Sequence, residues 1–336
     1  MPVATIDLSN GRQFTADPSV TLLDAASSSG IALPYSCRTG RCSSCKALVK
    51  CGQTRPLTNE TGLSPQEIEA GWILTCVRTA ETDVTLDIED LGGIQLPQPK
   101  TLPCRIAQLE RLAPDILRVK LRLPPASTLS FIPGQYIDVI GINGTRRSYS
   151  LANSSFSEKL LELHIRAVKD GAMSDYWFNQ AKPNDLLRLN GPLGTFFLRE
   201  CANTDVFFLA TGTGIAPVKA MLESLMHVPE ELQPQSITVL WGGRAPEDFY
   251  IDIAVIPGKH RFIPVVSRPS EGWTGAKGYV QDILLSIAPD LSKTAVYACG
   301  SDEMIRSAKQ ALSNAGLPLL RFYSDAFVSS GSGSLT

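Results

Sequence analysis

The rhythm of hydrophobic and polar positions changes twice along the chain, which predicts three segments of different architecture. The first segment opens with two alternating patterns, at residues 4–8 and 12–16, and a period of two is typical of half-buried strands. Asn10-Gly11 lies between them and predicts a tight hairpin. A short helix is expected over residues 21–28, ended by Gly30.

A second helix in this segment is marked by its own capping residues. Ser64 can cap it, Pro65 suits its first position and Glu67 completes a Ser-x-x-Glu capping box, while Gly71 can end it. Hairpin strands, short helices and late strands together predict a small β-grasp domain over residues 1–93.

The second segment is rich in short strand patterns. Glycines and prolines at residues 92–101 indicate a linker, which we place at 94–101. Strand patterns broken by proline and glycine follow at residues 105–109, 116–123, 136–142, 160–168 and 186–189. Such a series predicts an antiparallel β-barrel domain over residues 102–200.

Strand and helix patterns alternate in the third segment, after residue 203. The strand patterns lie at residues 205–210, 237–240, 262–266, 295–298 and 320–323. Alternation of this kind predicts a doubly wound parallel sheet, and so an α/β domain over residues 201–328. The fold class is therefore multidomain, with α+β and α/β parts. The last residues, 329–336, are low in complexity (SSGSGSLT) and are expected to form a flexible tail.

Composition describes an ordinary globular protein. Of 336 residues, 43% are hydrophobic and 19% are charged, with a net charge of −2, which argues against a disordered or nucleic-acid-binding chain. No apolar run approaches the ~20 residues needed to cross a bilayer, and the first residues lack signal-peptide features, so a soluble cytoplasmic protein is expected. Residues 1–93 hold 11 acidic and 7 basic side chains. That acidic surface is either a docking face for a basic partner or a solvated face.

The chemistry of the first segment is carried by Cys37, Cys42 and Cys45, spaced C-x4-C-x2-C, with Cys76 further on. This is the ligand spacing of a plant-type 2Fe-2S cluster. Disulfides do not suit a reducing cytoplasm, and a zinc site usually shows two tight Cys or His pairs. Cys51 is an alternative fourth ligand, and Cys76 is preferred because it follows the apolar run 72–75.

The sharpest motif of the third segment is Gly212-Thr213-Gly214 with Pro217, directly after the apolar strand pattern 206–209. Glycines at a strand-to-helix turn let the backbone approach a pyrophosphate, and the helix N-terminus offers free N–H groups. The third glycine of the Rossmann fingerprint is missing, and a plain tight turn is the alternative. Cys299-Gly300 ends a later strand before the helix that carries Met304 and is expected to face the same crevice.

In the second segment Arg147-Ser148-Tyr149-Ser150 places an arginine and a phenol two positions apart, on one face of a strand. These side chains can hold a planar ring and its phosphates. The loop 171–174, Gly-Ala-Met-Ser, opens a helix and offers N–H groups and a hydroxyl for another phosphate. Taken singly, either pattern is compatible with surface decoration.

Electron counting links these sites. A nicotinamide delivers two electrons as hydride, whereas a 2Fe-2S cluster accepts one at a time, so a carrier must lie between them. A flavin accepts hydride and releases single electrons. A nicotinamide domain and a cluster domain therefore predict a flavin in the middle segment, and the resemblance described next implies that this flavin is FAD.

The motifs resemble the ferredoxin-NAD(P)H reductase superfamily, fused to a plant-type ferredoxin, over nearly the whole chain. Within it the chain is most similar to CDP-6-deoxy-3,4-glucoseen reductases, followed by reductase components of ring-hydroxylating dioxygenases and multicomponent monooxygenases. The further segments that carry this likeness are Pro103-Cys104, Gly134-Gln135-Tyr136-Ile137-Asp138, Gly194-Thr195-Phe196-Phe197 and Phe322-Tyr323-Ser324-Asp325-Ala326-Phe327.

The resemblance implies an oxidoreductase that passes electrons from NADH through FAD and the cluster to a partner protein. In the glucoseen family that partner is a dehydrase, which carries pyridoxamine phosphate and its own cluster and completes 3-deoxygenation of a CDP-hexose. In the second family it is an oxygenase component. A non-catalytic redox sensor with the same cofactors is the alternative from another class. Neither a nucleic acid nor a membrane partner is expected.

The implied site residues form three groups. The cluster ligands are Cys37, Cys42, Cys45 and Cys76. Residues implied in hydride transfer are Ser150, Cys299 and Phe327, with Phe327 beside the flavin ring. The residues implied to bind FAD or the nicotinamide nucleotide are Arg147, Tyr149, Ser150, His164, Arg166, Gly171, Met173, Ser174, Gly212, Thr213, Gly214, Pro217, Gly242, Arg244, Ser267, Arg268, Cys299, Gly300, Met304 and Phe327.

Two positions depart from the family pattern. Ser43 stands where such cluster loops often have glycine, and we expect it to change only local hydrogen bonding to sulfide. Arg268 follows Ser267 where close relatives tend to lack a basic residue, and with Arg244 it can pair with a 2′-phosphate. Family likeness nevertheless favours NADH over NADPH.

Overall fold

The computed structural model describes residues 3–92, 94–141, 143–155, 160–287 and 290–327. The expected tail at 329–336 lies outside the described residues. The chain forms two compact units. The first holds the residues up to Leu96 together with those from Asp325 onward, and the second holds Pro97–Ser324.

The first unit is built on a five-stranded sheet in the order β2-β1-β7-β3-β5, with β4 and β6 paired beside it. The hairpin at Asn10-Gly11 is confirmed, because Gly11 has φ 84° and its N–H donates to the Leu8 carbonyl. The capping box between Ser64 and Glu67 is also present. The strands and helices of this unit are β1 (Ala4–Leu8), β2 (Gln13–Ala16), α1 (Leu22–Ser28), β3 (Lys46–Cys51), β4 (Thr54–Pro56), α2 (Pro65–Glu69), β5 (Trp72–Leu74), β6 (Arg78–Ala80) and β7 (Val84–Asp87).

The second unit begins with a six-stranded antiparallel sheet in the order β11-β10-β13-β8-β9-β12. Its first strand starts at Lys100, five residues before the strand pattern predicted at 105–109, and is longer than predicted because bulges let it bend from β13 to β9. A bridge between Leu151 and Leu163 joins the two ends of the sheet, as in a barrel. The elements are β8 (Lys100–Ala113), β9 (Ile116–Arg122), β10 (Tyr136–Ile140), β11 (Arg146–Ser150), β12 (Leu160–Arg166), α3 (Ala172–Asp175), a π-turn (Tyr176–Gln180) and β13 (Leu186–Leu193).

A second six-stranded sheet follows in the order β17-β16-β15-β14-β18-β19, with parallel pairing around β14. Because the chain runs from β14 to one side and returns to its other side at β18, the carboxyl end of β14 is the topological switch point. The elements are β14 (Asp205–Thr211), α4 (Ile215–Leu225), β15 (Ser236–Gly243), β16 (Arg261–Val266), β17 (Ala276–Lys277), α5 (Val280–Ser286), β18 (Thr294–Gly300), α6 (Asp302–Asn314) and β19 (Phe322–Ala326). Short 3-10 turns lie at Gly212–Gly214, Glu230–Leu232, Pro246–Asp248, Ile253–Val255, Leu291–Lys293 and Leu319–Arg321.

The strand predicted at residues 320–323 was misplaced. Pro318, with φ −59°, leads into the 3-10 turn Leu319–Arg321, so the strand begins only at Phe322. The division between barrel and α/β parts at residue 200 stays a prediction, since both sheets lie in the second unit.

Candidate functional site

The candidate cluster ligands lie on one loop and on the turn that faces it. Residues 36–45 connect α1 to β3, and Cys76 follows β5, which pairs with β3 directly after Cys45. The Thr75 N–H donates to the Cys45 carbonyl at 3.1 Å, which holds the two segments together. Cys51 ends β3 and is exposed. The structure thus brings Cys76, and not Cys51, to the cysteine loop.

The four thiols fall into two pairs. A hydrogen bond with the Cys42 thiol lowers the pKa of Cys37 to about 5, and a hydrogen bond with Cys45 lowers the pKa of Cys76. Those bonds, together with burial, raise the pKa values of Cys42 and Cys45. Among the described residues no group of three or more His, Cys, Asp or Glu side chains suits a single metal ion. Two thiol pairs fit a 2Fe-2S cluster, in which each iron takes two thiolates.

Backbone N–H groups of the loop point at the sulfur atoms. Cys37 donates to the Cys42 Sγ and Thr39 to the Cys37 Sγ, each at 3.4 Å. Such donors favour the thiolate that binds iron. Arg38 and Arg41 are exposed on the same loop, and Arg38 forms an ion pair with Asp24. Docking through an acidic face stays a prediction.

Left-handed backbone conformations give the loop its tight shape. Arg38, Gly40 and Ser43 have φ angles of 55°, 71° and 60°. A Cβ on Gly40 would lie 2.7 Å from the Asn59 carbonyl oxygen, so only glycine fits there. Ser43 keeps this unfavourable conformation while its Oγ donates a hydrogen bond to the Gly62 carbonyl. The hydroxyl of Ser43 therefore bonds to the backbone, whereas the sequence suggested an effect on hydrogen bonding to sulfide.

A buried carboxyl group lies beside this loop within the first unit. Asp325 is 5% exposed, and its Oδ1 accepts a hydrogen bond from the Ser36 hydroxyl, next to Cys37 in sequence. Burial raises the pKa of Asp325 to about 6, against the lowering effect of the Ser36 bond. Sequence reasoning missed this residue as a neighbour of the loop because 289 positions separate the two partners.

In the barrel, β11 presents the two predicted side chains on one face. Arg147 and Tyr149 are half-buried there, while Ser148 on the other face donates to Asp138 Oδ1 at 2.6 Å. The Tyr149 oxygen accepts from Trp177 Nε1 at 3.0 Å, which fixes the ring. Burial raises the pKa of Tyr149 to about 12, so the phenol stays neutral. Ser150, the next residue, is 8% exposed. This face fits a planar ring flanked by an arginine.

The phosphate loop predicted at 171–174 does open a helix, with Gly171 as its N-cap. Ser174 Oγ accepts from the Val168 N–H at 2.9 Å and remains able to donate its own proton. The side chain of Met173 lies in the core, 4% exposed, so only its backbone can face a ligand. An open cavity of about 560 Å³ borders the loop, but its lining includes Asp170 and Asp175. Those carboxylates disfavour phosphate inside the cavity, which leaves the loop N–H groups as the candidate donors.

The glycine turn occupies the switch point of the α/β sheet. Gly212–Gly214 form a 3-10 turn after β14, and α4 begins at Ile215, with Pro217 in its first turn. Gly212 has φ 54°, and a Cβ there would lie 2.8 Å from the Arg166 guanidinium, which reaches over from β12. Arg166 also pairs with Asp115 at 3.1 Å. The turn therefore lies against a strand of the barrel.

The Cys299-Gly300 segment lies against that turn, as its strand-end position suggested. Ala210 and Cys299 are register partners on β14 and β18. A Cβ on Gly214 would be 2.2 Å from the Cys299 carbonyl oxygen, and one on Gly300 would be 2.3 Å from Thr211 Oγ1. Cys299 is fully buried, while Met304 is 9% exposed in the helix that follows. The glycine turn and the end of β18 are therefore in direct backbone contact at the switch point.

The same carboxyl edge of this sheet, at the ends of β15 and β16, brings the two arginines together. The Arg268 N–H donates to the Arg244 carbonyl at 2.9 Å, and Ser267 donates through both its N–H and its hydroxyl to the Gly243 carbonyl. Asp248 Oδ2 accepts from the Arg244 N–H at 2.6 Å and shapes the turn after Gly242 and Gly243. Both arginine side chains are exposed. The residues predicted to meet a 2′-phosphate are thus neighbours.

The remaining candidates occupy different settings. The His164 side chain is completely buried, with both ring nitrogens hydrogen-bonded to protein groups. Phe327 follows β19 in the first unit and is 39% exposed. Its place beside a flavin, and the cofactor-binding assignment of His164, stay predictions.

The sequence matches three domain families. Residues 5–81 match the 2Fe-2S iron-sulfur cluster binding domain, residues 103–198 the oxidoreductase FAD-binding domain and residues 208–310 the oxidoreductase NAD-binding domain. The three matches coincide with the cysteine loop, the barrel strands and the glycine turn. The expected cofactors, a 2Fe-2S cluster, FAD and a nicotinamide nucleotide, are confirmed at the level of these domains.

Similar proteins extend over nearly the whole chain. The CDP-6-deoxy-L-threo-D-glycero-4-hexulose-3-dehydrase reductase of Yersinia pestis is 44% identical over 326 residues, which is 96% of this chain and 97% of that one. Protein RfbI of Salmonella typhimurium is 35% identical, covering 95% and 94% of the two chains. Reductase component 1 of the terephthalate 1,2-dioxygenase of a Comamonas species is 30% identical, covering 96% of each.

Solved structures show the same arrangement of elements. The Amycolatopsis cytochrome P450 reductase GcoB is 27% identical and superposes with a TM-score of 0.73 over 96% of this chain and 98% of its own. Among the described residues, no helix combines the length and the apolar character needed to cross a membrane.

Proposed function

The chain belongs to the family of iron-sulfur flavoprotein reductases that use a nicotinamide nucleotide, and from this premise we propose that its electron acceptor is a dehydrase that makes 3-deoxy CDP-hexoses. FAD would accept two electrons from NADH and pass them singly to the cluster. We place this activity in the cytoplasm, a proposal supported by eight cysteines that form no disulfide.

We assign the residues of this relay as follows. Cys37, Cys42, Cys45 and Cys76 hold the cluster. Arg147, Tyr149 and Ser150 hold FAD, helped by the loop from Gly171 to Ser174. The nicotinamide nucleotide lies outside the carboxyl ends of β14 and β18, where the glycine turn meets Cys299-Gly300.

The observation that carries the choice of partner is the difference in similarity. The chain is 44% identical to the dehydrase reductase of Yersinia pestis and 30% identical to the terephthalate dioxygenase reductase component, over the same share of its length. A second oxygenase reductase, that of a Ralstonia naphthalene dioxygenase system, is 29% identical. An oxygenase component is therefore the second candidate for the electron acceptor.

Reconstitution tests the proposed partner. The purified holoenzyme is mixed anaerobically with NADH, a CDP-6-deoxy-hexulose-3-dehydrase and that enzyme's substrate, and formation of the 3-deoxy product is followed by mass spectrometry. We expect product only when all components are present. A matched reaction with a dioxygenase component in place of the dehydrase should be slow. Efficient reduction of the oxygenase together with none of the dehydrase would overturn the proposal.

We propose NADH as the preferred coenzyme, following the family likeness. The adjacent arginines Arg244 and Arg268 are the features of this chain that can accept a 2′-phosphate as well. Steady-state kinetics with both coenzymes decide, and a clearly higher kcat/KM with NADPH would reverse the assignment.

A further inference from the structure

A buried polar cluster lies where the barrel meets the helix that follows the glycine turn. Glu162 and His164 are two positions apart on β12, so they share one face of the strand, and they are 8% and 5% exposed. Lys219 approaches them from the second turn of α4, with its side chain 15% exposed. Charged groups are rarely buried without partners, because removing them from water is costly.

The hydrogen bonds of this cluster define the state of each member. Glu162 Oε1 lies 2.9 Å from His164 Nε2 and 3.2 Å from Lys219 Nζ. Because a carboxylate can only accept, His164 Nε2 carries the proton, and Nδ1 accepts from the Tyr250 hydroxyl at 3.0 Å. Burial would raise the pKa of Glu162, but the His164 bond and the nearby positive charges lower it to about 2. Burial lowers the pKa of His164, so its ring is neutral.

The far end of the cluster reaches the glycine turn. The Tyr250 ring packs edge-on against Trp241, with 5.2 Å between centroids and 89° between planes. Trp241 Nε1 in turn donates to the Gly212 carbonyl at 3.1 Å. A connected series of contacts therefore runs from the first glycine of the turn, through Trp241 and Tyr250, to strand β12.

A second connection starts from the helix that the turn opens. Lys219 Nζ donates to the Ala152 carbonyl at 3.0 Å and to Glu223 Oε1 at 2.6 Å, and Glu223 Oε2 accepts from the Ser154 N–H at 3.0 Å. Residues 152–154 continue β11, the strand that carries Arg147 and Tyr149. Both sides of the glycine turn are thus tied to the strands of the proposed flavin site.

We infer that Glu162, His164, Lys219 and Tyr250, here called the polar clamp, are positioning residues that set the distance between nicotinamide and flavin for hydride transfer. This inference rests on the proposed function. The clamp residues contact protein groups, and they act through the backbone of the glycine turn and of β11. A buried ionic group is weak support for stability, but its fixed geometry specifies one arrangement of the elements that it joins. Reaction rates fall steeply when reacting atoms are misplaced, by about 100-fold per ångström in unfavourable cases.

Tyr250→Phe is the least disruptive test, because it removes one hydroxyl and keeps the ring against Trp241. Reduction of FAD in the holoenzyme is followed by anaerobic stopped-flow absorbance over a series of NADH concentrations. We expect the limiting rate to fall about tenfold, with the NADH dissociation constant within about twofold of wild type and full FAD and iron content. The matched control is Tyr279→Phe, at an exposed tyrosine, which should match wild type.

Lys219 gives an independent pair of variants. Lys219→Met removes the cation and should lower the limiting rate, whereas Lys219→Arg keeps a cation within reach of Glu162 and should recover most of it. If the Tyr250→Phe variant loses FAD, the two Lys219 variants alone decide the question. Equal limiting rates of FAD reduction in Lys219→Met and Lys219→Arg would overturn the positioning role of the polar clamp.

The outcomes separate the clamp from the proposed function. If neither NADH nor NADPH reduced the FAD of the wild-type enzyme, the proposed function itself would be contradicted. If the FAD of the wild-type enzyme were reduced, and that of Tyr250→Phe were reduced at the same limiting rate, only the positioning role of the polar clamp would be contradicted. A slower Tyr250→Phe whose dissociation constant rises in proportion would show a role in binding and would also overturn the positioning role.

Discussion

Replacement of Gly300 by alanine combines two separate penalties at the proposed nucleotide site. The new Cβ would lie 2.3 Å from Thr211 Oγ1 and 2.6 Å from the Thr211 carbonyl oxygen, at a φ of 132° that L-residues rarely adopt. Gly214→Ala carries the steric penalty alone, since its Cβ would lie 2.2 Å from the Cys299 carbonyl oxygen at an ordinary φ of −60°. Gly214 and Gly300 therefore have room for a hydrogen atom and not for a methyl group.

Two other glycines provide matched controls. Gly316 has φ 100° but open space around its Cβ position, so Gly316→Ala carries the backbone penalty alone. Gly272 has neither a positive φ nor a neighbour within 4 Å. The left-handed conformation costs about 1–2 kcal/mol, and displacement of packed backbone costs about 1–3 kcal/mol. We thus expect losses of unfolding free energy of about 2–5 kcal/mol for Gly300→Ala and within about 0.5 kcal/mol for Gly272→Ala, with Gly214→Ala and Gly316→Ala between them.

Urea unfolding followed by far-UV circular dichroism measures the stabilities of the four variants and of wild type. Gly214→Ala and Gly300→Ala should also weaken NADH binding while retaining FAD, because the methyl groups push the ends of β14 and β18 apart. A Gly300→Ala variant as stable as Gly316→Ala would refute the steric argument. Wild-type NADH affinity in both Gly214→Ala and Gly300→Ala would refute the placement of the nicotinamide nucleotide at these strand ends.

Three further predictions concern the cluster, the coenzyme and the buried carboxylate. Cys42→Ser should keep NADH-dependent bleaching of FAD but lose electron delivery to the protein partner, with Cys51→Ser as the unaffected control; equal loss of both activities would contradict the relay. Arg268→Ala should lower kcat/KM for NADPH about tenfold and leave that for NADH unchanged, and an equal effect on both coenzymes would exclude 2′-phosphate recognition. Because the pKa of Glu162 is lowered from 4.5 to about 2, its charge contributes about 3 kcal/mol of stability above pH 4.5. That contribution is lost as the pH falls towards 2, so urea midpoints of wild type and Glu162→Gln should differ at pH 7 and converge in acid; a constant difference would show that the charge is not responsible.

Local signals explain most of what could be predicted from the sequence. The Asn10-Gly11 hairpin and the Ser64 capping box depend on residues that are near neighbours in the chain. The glycine turn was found because its sequence position, after an apolar strand and before a helix, already defines its chemistry. Cys76 was preferred over Cys51 because a strand pattern precedes it, and the pairing of β3 with β5 supplies the physical reason.

What the sequence did not reveal depends on long-range contacts. Tyr250 meets His164 across 86 positions, and neither residue belongs to a motif that names the other. Glu162 and His164 are two positions apart, which predicts that they share one face of a strand, but the spacing does not show that this face is buried. The shifted last strand has a different cause: the predicted strand began at the apolar residue Leu320, yet Leu320 is exposed in a turn that Pro318 begins.

The uneven burial of the four proposed cluster ligands distinguishes the two irons that they would bind. Cys42, Cys45 and Cys76 are buried, whereas Cys37 is partly exposed. The iron bound by Cys37 and Cys42 would therefore be the outer one, and the iron bound by Cys45 and Cys76 the inner one. An acceptor protein that receives electrons over the shorter distance would therefore contact the loop on the side of Cys37.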